Sequence, residues 1–205
     1  AFKDYNSKLG VTGSPWADPF YKYLQRFFTS YNCGKLIGNT LTISLYTLAA
    51  SFPIPILFAL MLNQLPNGKF KKLVQTVSYA PHFISTVVLV SMLSVFLAPS
   101  SGIVNILITK LGGQAFYFMG SESAFKHVYV WSGIWQSMGW SSIIYVAALA
   151  GVSPDQHEAA IVDGANKIQR IWYVDIPAIM PTAVTMLILN TGNIMSIGFE
   201  KAFLM

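Results

Sequence analysis

The chain has 205 residues, of which 54% are apolar and 10% are charged, and its formal net charge is +5. Soluble domains usually carry about 25% charged residues, so this composition points to a protein embedded in lipid. The basic residues are spread along the chain and form no dense stripe, which argues against a nucleic-acid partner. With Cys33 as the single cysteine and three widely separated histidines, the sequence predicts neither a disulfide nor a metal site.

Residues 18–31 have the pattern of an amphipathic helix. Asp18 is a good N-cap, and Pro19 suits a first helical turn. One face of this helix would carry the apolar residues Phe20, Tyr23, Leu24, Phe27, Phe28 and Tyr31. We therefore predict an extracytoplasmic segment, residues 1–35, whose helix lies in the membrane interface. A surface helix packed on an extramembrane domain is the alternative.

Four stretches after this segment are long and free of charged residues: 36–67, 73–97, 128–151 and 176–199. A membrane-spanning helix needs about 20 predominantly apolar residues. Buried helices of a soluble protein would still show a charged face, and these stretches do not. We predict an all-α, polytopic membrane protein with a transmembrane domain over residues 36–205. Small residues such as Ser132, Gly133, Ser137 and Gly139 would allow close helix contacts or line a polar path.

The loops between the predicted spans indicate the orientation of the chain. Loop 66–72 is short and contains Lys69, Lys71 and Lys72, a local density that favours the cytoplasm. Loop 153–175 is separated from it by two spans and must lie on the same side.

The second of these loops has clear helix signals. Ser153, Pro154 and Gln156 predict an N-cap, a first-turn proline and a capping box. Gly164 suits the left-handed position that ends a helix. Asn166 and Gln169 can cap a second helix, which should stop near Pro177 because of that proline. The loop is thus predicted to be two short exposed helices with a glycine joint, whose apolar residues are buried against the membrane domain or a partner: Ile161, Val162, Ile168, Ile171 and Trp172.

The same loop resembles the cytoplasmic loop of binding-protein-dependent ABC transporter permeases. The matching pattern is Glu158-Ala159-Ala160, then Gly164, then Val174-Asp175-Ile176-Pro177. The phrases at 75–85 and 159–165 look like the polysaccharide and oligosaccharide branch of the carbohydrate permeases. The resemblance covers nearly the whole chain. It implies the type I importer permease fold, of which the chain would hold four of about six spans.

In this family the loop is a coupling helix that sits in a groove of the ATP-binding subunit. The resemblance implies that Glu158 contacts the ATPase, that Ala159 and Ala160 permit close docking, and that Gly164 makes the turn. Asp163, Val174 and Pro177 belong to the same motif. The chain contains no Gly-x-x-x-x-Gly-Lys-Ser/Thr loop, so ATP and Mg²⁺ would act on the partner chain. We expect no cofactor and no enzymatic activity on this chain.

The resemblance also implies the other partners. These are a second permease subunit, an extracytoplasmic solute-binding protein that delivers a sugar or oligosaccharide, and the lipid of a bacterial inner membrane that the chain crosses several times. Trp135, Trp140, Asn190 and Asn193 are candidate substrate-path residues, because aromatic faces and neutral hydrogen-bonding groups suit saccharides. Interhelical hydrogen bonds or an aromatic belt at the interface would explain the same residues.

Two other functions remain possible from the residues alone. A membrane-embedded enzyme needs clustered ionisable groups within its spans, and His82 is isolated. An ion-coupled secondary transporter, or another polytopic protein, would need carboxylates within the spans, and the four stretches contain none.

Overall fold

The structure is a computed structural model that describes residues 3–66, 68–194 and 198–205. The described residues are predominantly helical, which confirms the all-α prediction. The chain divides into two compact units, Ala1–Thr42 and Ile43–Met205. This division lies within a helix, further along the chain than the boundary predicted at residue 35.

The first unit contains two short helices and the start of a long one. Helix α1 is Gly10–Gly13, α2 is Lys22–Phe28, and α3 begins at Cys33 and continues to Ser51. The prediction that Asp18 caps α2 is wrong. The N-cap is Tyr21, because the chain first turns at Pro19, whose carbonyl oxygen accepts a hydrogen bond from the Lys22 amide at 2.8 Å.

Hydrogen bonds from Lys22 and Tyr23 to Asp4 hold α2 against the first residues of the chain. The Tyr23 hydroxyl and the Lys22 ammonium group donate to the Asp4 carboxylate and lower the pKa of that carboxyl. Since this pKa is depressed by folding, the contact contributes above the pKa of the unfolded chain and is lost as the pH falls through the folded value. The apolar residues of α2 and of the turn before it stay exposed within this unit, as an interfacial helix requires: Phe20, Leu24, Phe27 and Phe28.

The second unit is built around one long helix, α8 (Glu122–Ala150). Before it come α4 (Pro53–Asn63), α5 (Lys69–Tyr79), a 3₁₀ turn (Ala80–Phe83), α6 (Thr86–Phe96) and α7 (Ile103–Lys110). After it come α9 (Pro154–Val162), α10 (Lys167–Arg170), a π-helical turn (Ile171–Asp175), α11 (Ile176–Gly192) and α12 (Phe199–Leu204). Helices α4, α5 and α11 all pack against α8.

The apolar core lies where α4, α8 and α11 meet. Leu60 of α4, Tyr145 and Leu149 of α8, and Ile179 of α11 are buried together there. A second cluster surrounds Val130 in the first half of α8. The core therefore fixes α8 against its neighbours along most of its length.

Fewer helices meet the requirements of a membrane span than the sequence predicted. Among the described residues, Cys33–Asn63 and Lys167–Gly192 are long and apolar enough, and the pair Lys69–Phe83 and Thr86–Phe96 would add a third if it counts as one broken span. Helix α8 is long enough but is not among them. Its serines, glycines and glutamine make it more polar than Cys33–Asn63 and Lys167–Gly192.

The stretch 73–97, predicted as one span, is sharply bent. Its two helical parts meet at 99°. Pro81 lies in the first turn of the 3₁₀ segment, and the Ser85 hydroxyl then caps α6 by accepting from the Val88 amide at 3.4 Å. A proline followed by a new N-cap ends one helix and starts another, so the charge-free composition alone could not show the break.

The loop between α6 and α8 is organised by a single buried side chain, Asn105. Its side-chain nitrogen donates to the carbonyl oxygens of Leu97, Ala98 and Phe116 at 3.0–3.2 Å. Its side-chain oxygen accepts from the Phe116 amide at 2.8 Å. One amide group thus joins the segment before α7 to the segment after it.

Replacing this amide with a carboxylate should destabilise the loop. We expect Asn105→Asp to reduce stability by about 2–3 kcal/mol, because an acceptor would face three carbonyl oxygens and leave them unpaired. The exposed residue Asn32 offers the same chemical change as a control. Thermal unfolding in detergent should show a lowered midpoint for Asn105→Asp and almost no change for Asn32→Asp. Equal midpoints for the two variants would contradict the role of Asn105 in stabilising the loop.

Candidate functional site

Helix α9 begins the loop 153–175 as predicted, with one difference in its cap. The Ser153 side chain accepts a hydrogen bond from the Asp155 amide at 3.3 Å, and Pro154 occupies the first turn. The predicted capping box with Gln156 does not form. The Gln156 backbone amide instead donates to the carbonyl oxygen of Ser153 at 3.1 Å, so it is paired without the Ser153 hydroxyl.

Gly164 ends α9 in the left-handed conformation that the sequence predicted. Its φ is +81°, and the Ala165 amide donates to the Ala160 carbonyl oxygen at 2.9 Å, closing the end of the helix. A Cβ built on Gly164 would meet no atom within 4 Å. Glycine is therefore needed here for its backbone conformation rather than for space inside this chain.

The second half of the loop is a continuous helix. Asn166 and Gln169 form the predicted capping box, with amide-to-side-chain distances of 2.8 and 2.9 Å. The prediction that the helix stops near Pro177 is wrong, because α10 passes through the π-helical turn directly into α11. Pro177 lies in the first turn of α11, directly after the helix changes from π to α hydrogen bonding. At this position no backbone N–H is required, so the proline does not break the helix.

The surface of the loop is unusually apolar. The residues predicted to meet the membrane domain or a partner are mostly exposed, with Val162 at 86% and Ile168 at 67%. Ile171 alone among the five packs against the core of the second unit. We call the exposed apolar residues of the loop the loop surface: Ile161, Val162, Ile168, Trp172 and Tyr173.

The motif residues lie beside this surface. Glu158, Ala159 and Asp163 are exposed, and Ala160 and Val174 are partly buried. Exposed apolar surface of this kind is typical of interaction sites.

A buried polar cluster holds the loop against the end of α4, and the sequence analysis missed it. Asp175 is fully buried, and its carboxylate lies 3.4 Å from His157 Nε2, 3.2 Å from Gln64 Nε2 and 3.5 Å from Asn63 Nδ2. Arg170 lines a cavity of about 230 Å³ with three of these residues. Asp175 thus joins the first loop helix to the end of α4. A charged residue placed directly before an apolar run was the signal that could have revealed it.

A polar cavity lies between α3, α4, α8 and α11. It consists of two pockets of about 290 and 360 Å³, which share Thr47, Ser51, Tyr129 and Asn190 as lining residues. The larger pocket is lined along α8 from Tyr129 to Tyr145, which is about 24 Å at 1.5 Å per residue. The cavity therefore follows the long axis of α8.

The four predicted substrate-path residues do not converge on this cavity. Asn190 and Asn193 both line its smaller pocket, so the predicted shared face exists. Trp135 lies in a separate apolar pocket with Leu89 and Trp131. Trp140 stacks on His82, with ring centroids 4.6 Å apart, near the bend between α5 and α6.

Lys201 is a further cavity residue that the sequence analysis did not find. Its ammonium group donates to the Tyr129 carbonyl oxygen at 2.7 Å and lies 4.7 Å from the centre of the Tyr129 ring. It lines the larger pocket. Lys201 follows the last predicted span in sequence, and no local pattern shows that it folds back against α8.

Comparison with known proteins decides the family. The model of the family "Binding-protein-dependent transport system inner membrane component" matches residues 51–199. The chain belongs to this family. The match includes the loop 153–175 and most of the cavity residues, so the resemblance drawn from the sequence is confirmed.

Several proteins similar to this family member are named for carbohydrate transport. It is 42% identical, over its whole length, to the polygalacturonan/rhamnogalacturonan transport system permease protein YteP of Bacillus subtilis, of which it covers 63%. It is 38% identical to a chain of a bacterial ABC transporter involved in the import of the acidic polysaccharide alginate, with a TM-score of 0.87, covering 90% of this chain and 64% of that one. The same transporter in complex with an alginate pentasaccharide-bound periplasmic protein gives a TM-score of 0.86 at 38% identity. The chain thus spans just under two thirds of the length of the proteins it matches.

Proposed function

We propose that this chain is the transmembrane subunit of an ATP-driven importer for a sugar or oligosaccharide. The observation that carries the proposal is the loop surface, exposed beside the family motif and fastened by Asp175 to the helices that line the cavity. Family membership and the carbohydrate-transporting relatives support it.

The loop 153–175 would dock on a separate ATP-binding subunit. Glu158 and Asp163 offer charge at the edge of the loop surface, and Ala159 and Ala160 leave room for close approach. The sequence has no phosphate-binding loop of its own, so ATP and Mg²⁺ would bind on that subunit. Nucleotide-driven movement would then reach the helices through the loop.

The cavity would form this chain's half of the translocation path. A second permease subunit would complete it, and an extracytoplasmic binding protein would deliver the saccharide. Alternating access requires two states that different ligands favour. Here those ligands would be ATP, which acts through the loop, and the loaded binding protein, which acts from the opposite side of a bacterial inner membrane that the chain crosses several times.

A buried carboxylate is also what an ion-coupled transporter would use, and Asp175 is buried within the helix Lys167–Gly192. Its partners argue against that role. Asp175 is held by His157 from the loop and by two amide side chains from the end of α4, an arrangement that suits a fixed anchor better than a group that binds and releases an ion.

The proposal is tested with the substitution Gly164→Asp in the transporter. Gly112 provides a matched control, because it also has a positive φ, +86°, and open space around its Cβ. The backbone cost should be about 1 kcal/mol or more in both variants. We expect Gly164→Asp to lose both the co-purifying ATP-binding subunit and ATP-dependent uptake, while Gly112→Asp retains both.

Glu158→Lys in the same assay should weaken the co-purification while membrane insertion stays normal. Normal uptake in Gly164→Asp would contradict a docking role for the joint. If no ATP-binding subunit co-purifies with the wild type in mild detergent, the importer proposal fails, and uptake should then be tested for dependence on an ion gradient.

A further inference from the structure

The charge of the cavity is concentrated on one side chain. Among the described residues that line the two pockets, Lys201 carries the only charge, and the others are apolar or carry hydroxyl, amide or phenol groups. A cation within a membrane domain is costly and is usually retained for a function. The cavity therefore offers neutral hydrogen-bonding groups together with a single positive centre.

The ammonium group of Lys201 has unused bonding capacity. It has three N–H donors, one of which bonds to the Tyr129 carbonyl oxygen. No carboxylate of the described residues lies within ion-pair distance of it. Glu200 is adjacent in sequence, but its side chain is exposed.

A second polar group in the cavity is also unpaired. The hydroxyl oxygen of Thr47 is buried and has no hydrogen-bond partner in the described structure, and Thr47 lines both pockets. Buried polar atoms are nearly always paired in native proteins. An unpaired hydroxyl and a cation without a carboxylate partner in one cavity are what a ligand with both hydroxyl groups and a negative charge would satisfy.

We propose that Lys201 binds the carboxylate of an acidic saccharide, such as a uronic acid unit, while Thr47 and Asn190 bind its hydroxyl groups. This inference rests on the proposed importer function and names its substrate class. Two relatives point the same way, since one is named for polygalacturonan and the other for the acidic polysaccharide alginate. Pockets of this size accept small polar ligands.

The test uses the full-length transporter, assembled with its partners in liposomes, with trigalacturonate and its methyl ester as probes. The ester has the same sugar skeleton without the charge. Lys201→Gln can still donate a hydrogen bond to the Tyr129 carbonyl oxygen, so it removes the charge and keeps that contact. Lys201→Arg keeps both. Lys110→Gln removes an exposed lysine at the end of α7 and serves as the control.

We expect Lys201→Gln to lower the initial rate of trigalacturonate uptake by about tenfold or more, which is the loss typical of removing one partner of a buried charge pair. Lys201→Arg should keep most of the wild-type rate, and Lys110→Gln should be unchanged. Uptake of the methyl ester should fall less than that of the acid in Lys201→Gln. The binding protein is the same in every variant, so its own preference cancels in the ratio of variant to wild type.

Three results would overturn the inference. The first is equal loss in Lys201→Gln and Lys201→Arg, which would show a structural role. The second is ATP-dependent wild-type import of a neutral oligosaccharide such as maltotriose without import of the acid, which leaves the proposed function intact. The third is no ATP-dependent import of any saccharide, which removes the proposed function and this inference together.

Discussion

Gly139→Ala is expected to destabilise the membrane domain by about 3 kcal/mol, because one added methyl group would collide with a neighbouring backbone. A Cβ on Gly139 would lie 2.1 Å from the carbonyl oxygen of Ser78. Backbone atoms cannot rotate aside as side chains do, so α5 would have to move away from α8. The sequence suggested either close packing or a polar path for this glycine, and the structure assigns it to packing.

The control is the same substitution at Gly38, within α3, where a Cβ would meet no atom within 4 Å. Alanine is favoured over glycine in helices by up to about 1 kcal/mol, so Gly38→Ala should be neutral or stabilising. Thermal unfolding of the purified protein in detergent should show a midpoint lower by about 10 °C for Gly139→Ala. Shifts of the same sign and size in both variants would rule out the close contact as the cause.

In the proposed importer, Asp175→Ala is expected to uncouple ATP hydrolysis from transport. Removing the shared acceptor of a buried polar cluster costs about 1–3 kcal/mol, because the donors that remain lose their hydrogen-bond partner. His157, Asn63 and Gln64 would all lose their shared acceptor. The loop could still meet the ATP-binding subunit through its surface, but its first helix would no longer be tied to α4.

The measurement is the number of ATP molecules hydrolysed per saccharide imported in reconstituted liposomes. We expect this ratio to rise several-fold in Asp175→Ala and to stay near the wild-type value in Asp163→Ala, whose side chain is exposed in the same loop. Asp175→Asn, which keeps an acceptor oxygen but not the charge, should fall between them. An unchanged ratio in Asp175→Ala would mean that this cluster only stabilises the fold.

The features that were predicted correctly depend on neighbours in sequence. Ser153 caps its helix, Gly164 adopts a left-handed conformation, and Asn166 and Gln169 form a capping box. Each of these is decided within a few residues by backbone hydrogen bonding. The family resemblance was strong for the same reason, since its motif is contained in this short loop.

The features that were missed or wrong depend on tertiary contacts or on competing local bonds. Asp175 and Lys201 meet their partners across the fold, at separations such as the 72 residues between Lys201 and Tyr129. The predicted cap at Asp18 failed because the chain turns first at Pro19, and the predicted stop before Pro177 failed because a π-helical turn accommodates the proline. Composition located the apolar stretches but could not show the bend at Pro81.

The uninterrupted helix Lys167–Gly192 begins in the loop and ends in the wall of the cavity, so it can act as a rigid lever between them. Its 26 residues extend over about 39 Å. Lys167 sits at the loop end, and Asn190 lies at the cavity end, about 35 Å away along the axis. A tilt of about 5° around the middle of the lever would displace each end by roughly 1.5 Å in opposite directions, enough to break a hydrogen bond to a solute. In the proposed importer, a small movement of the loop would thereby weaken the hydrogen bonds between the cavity end of this helix and a bound solute.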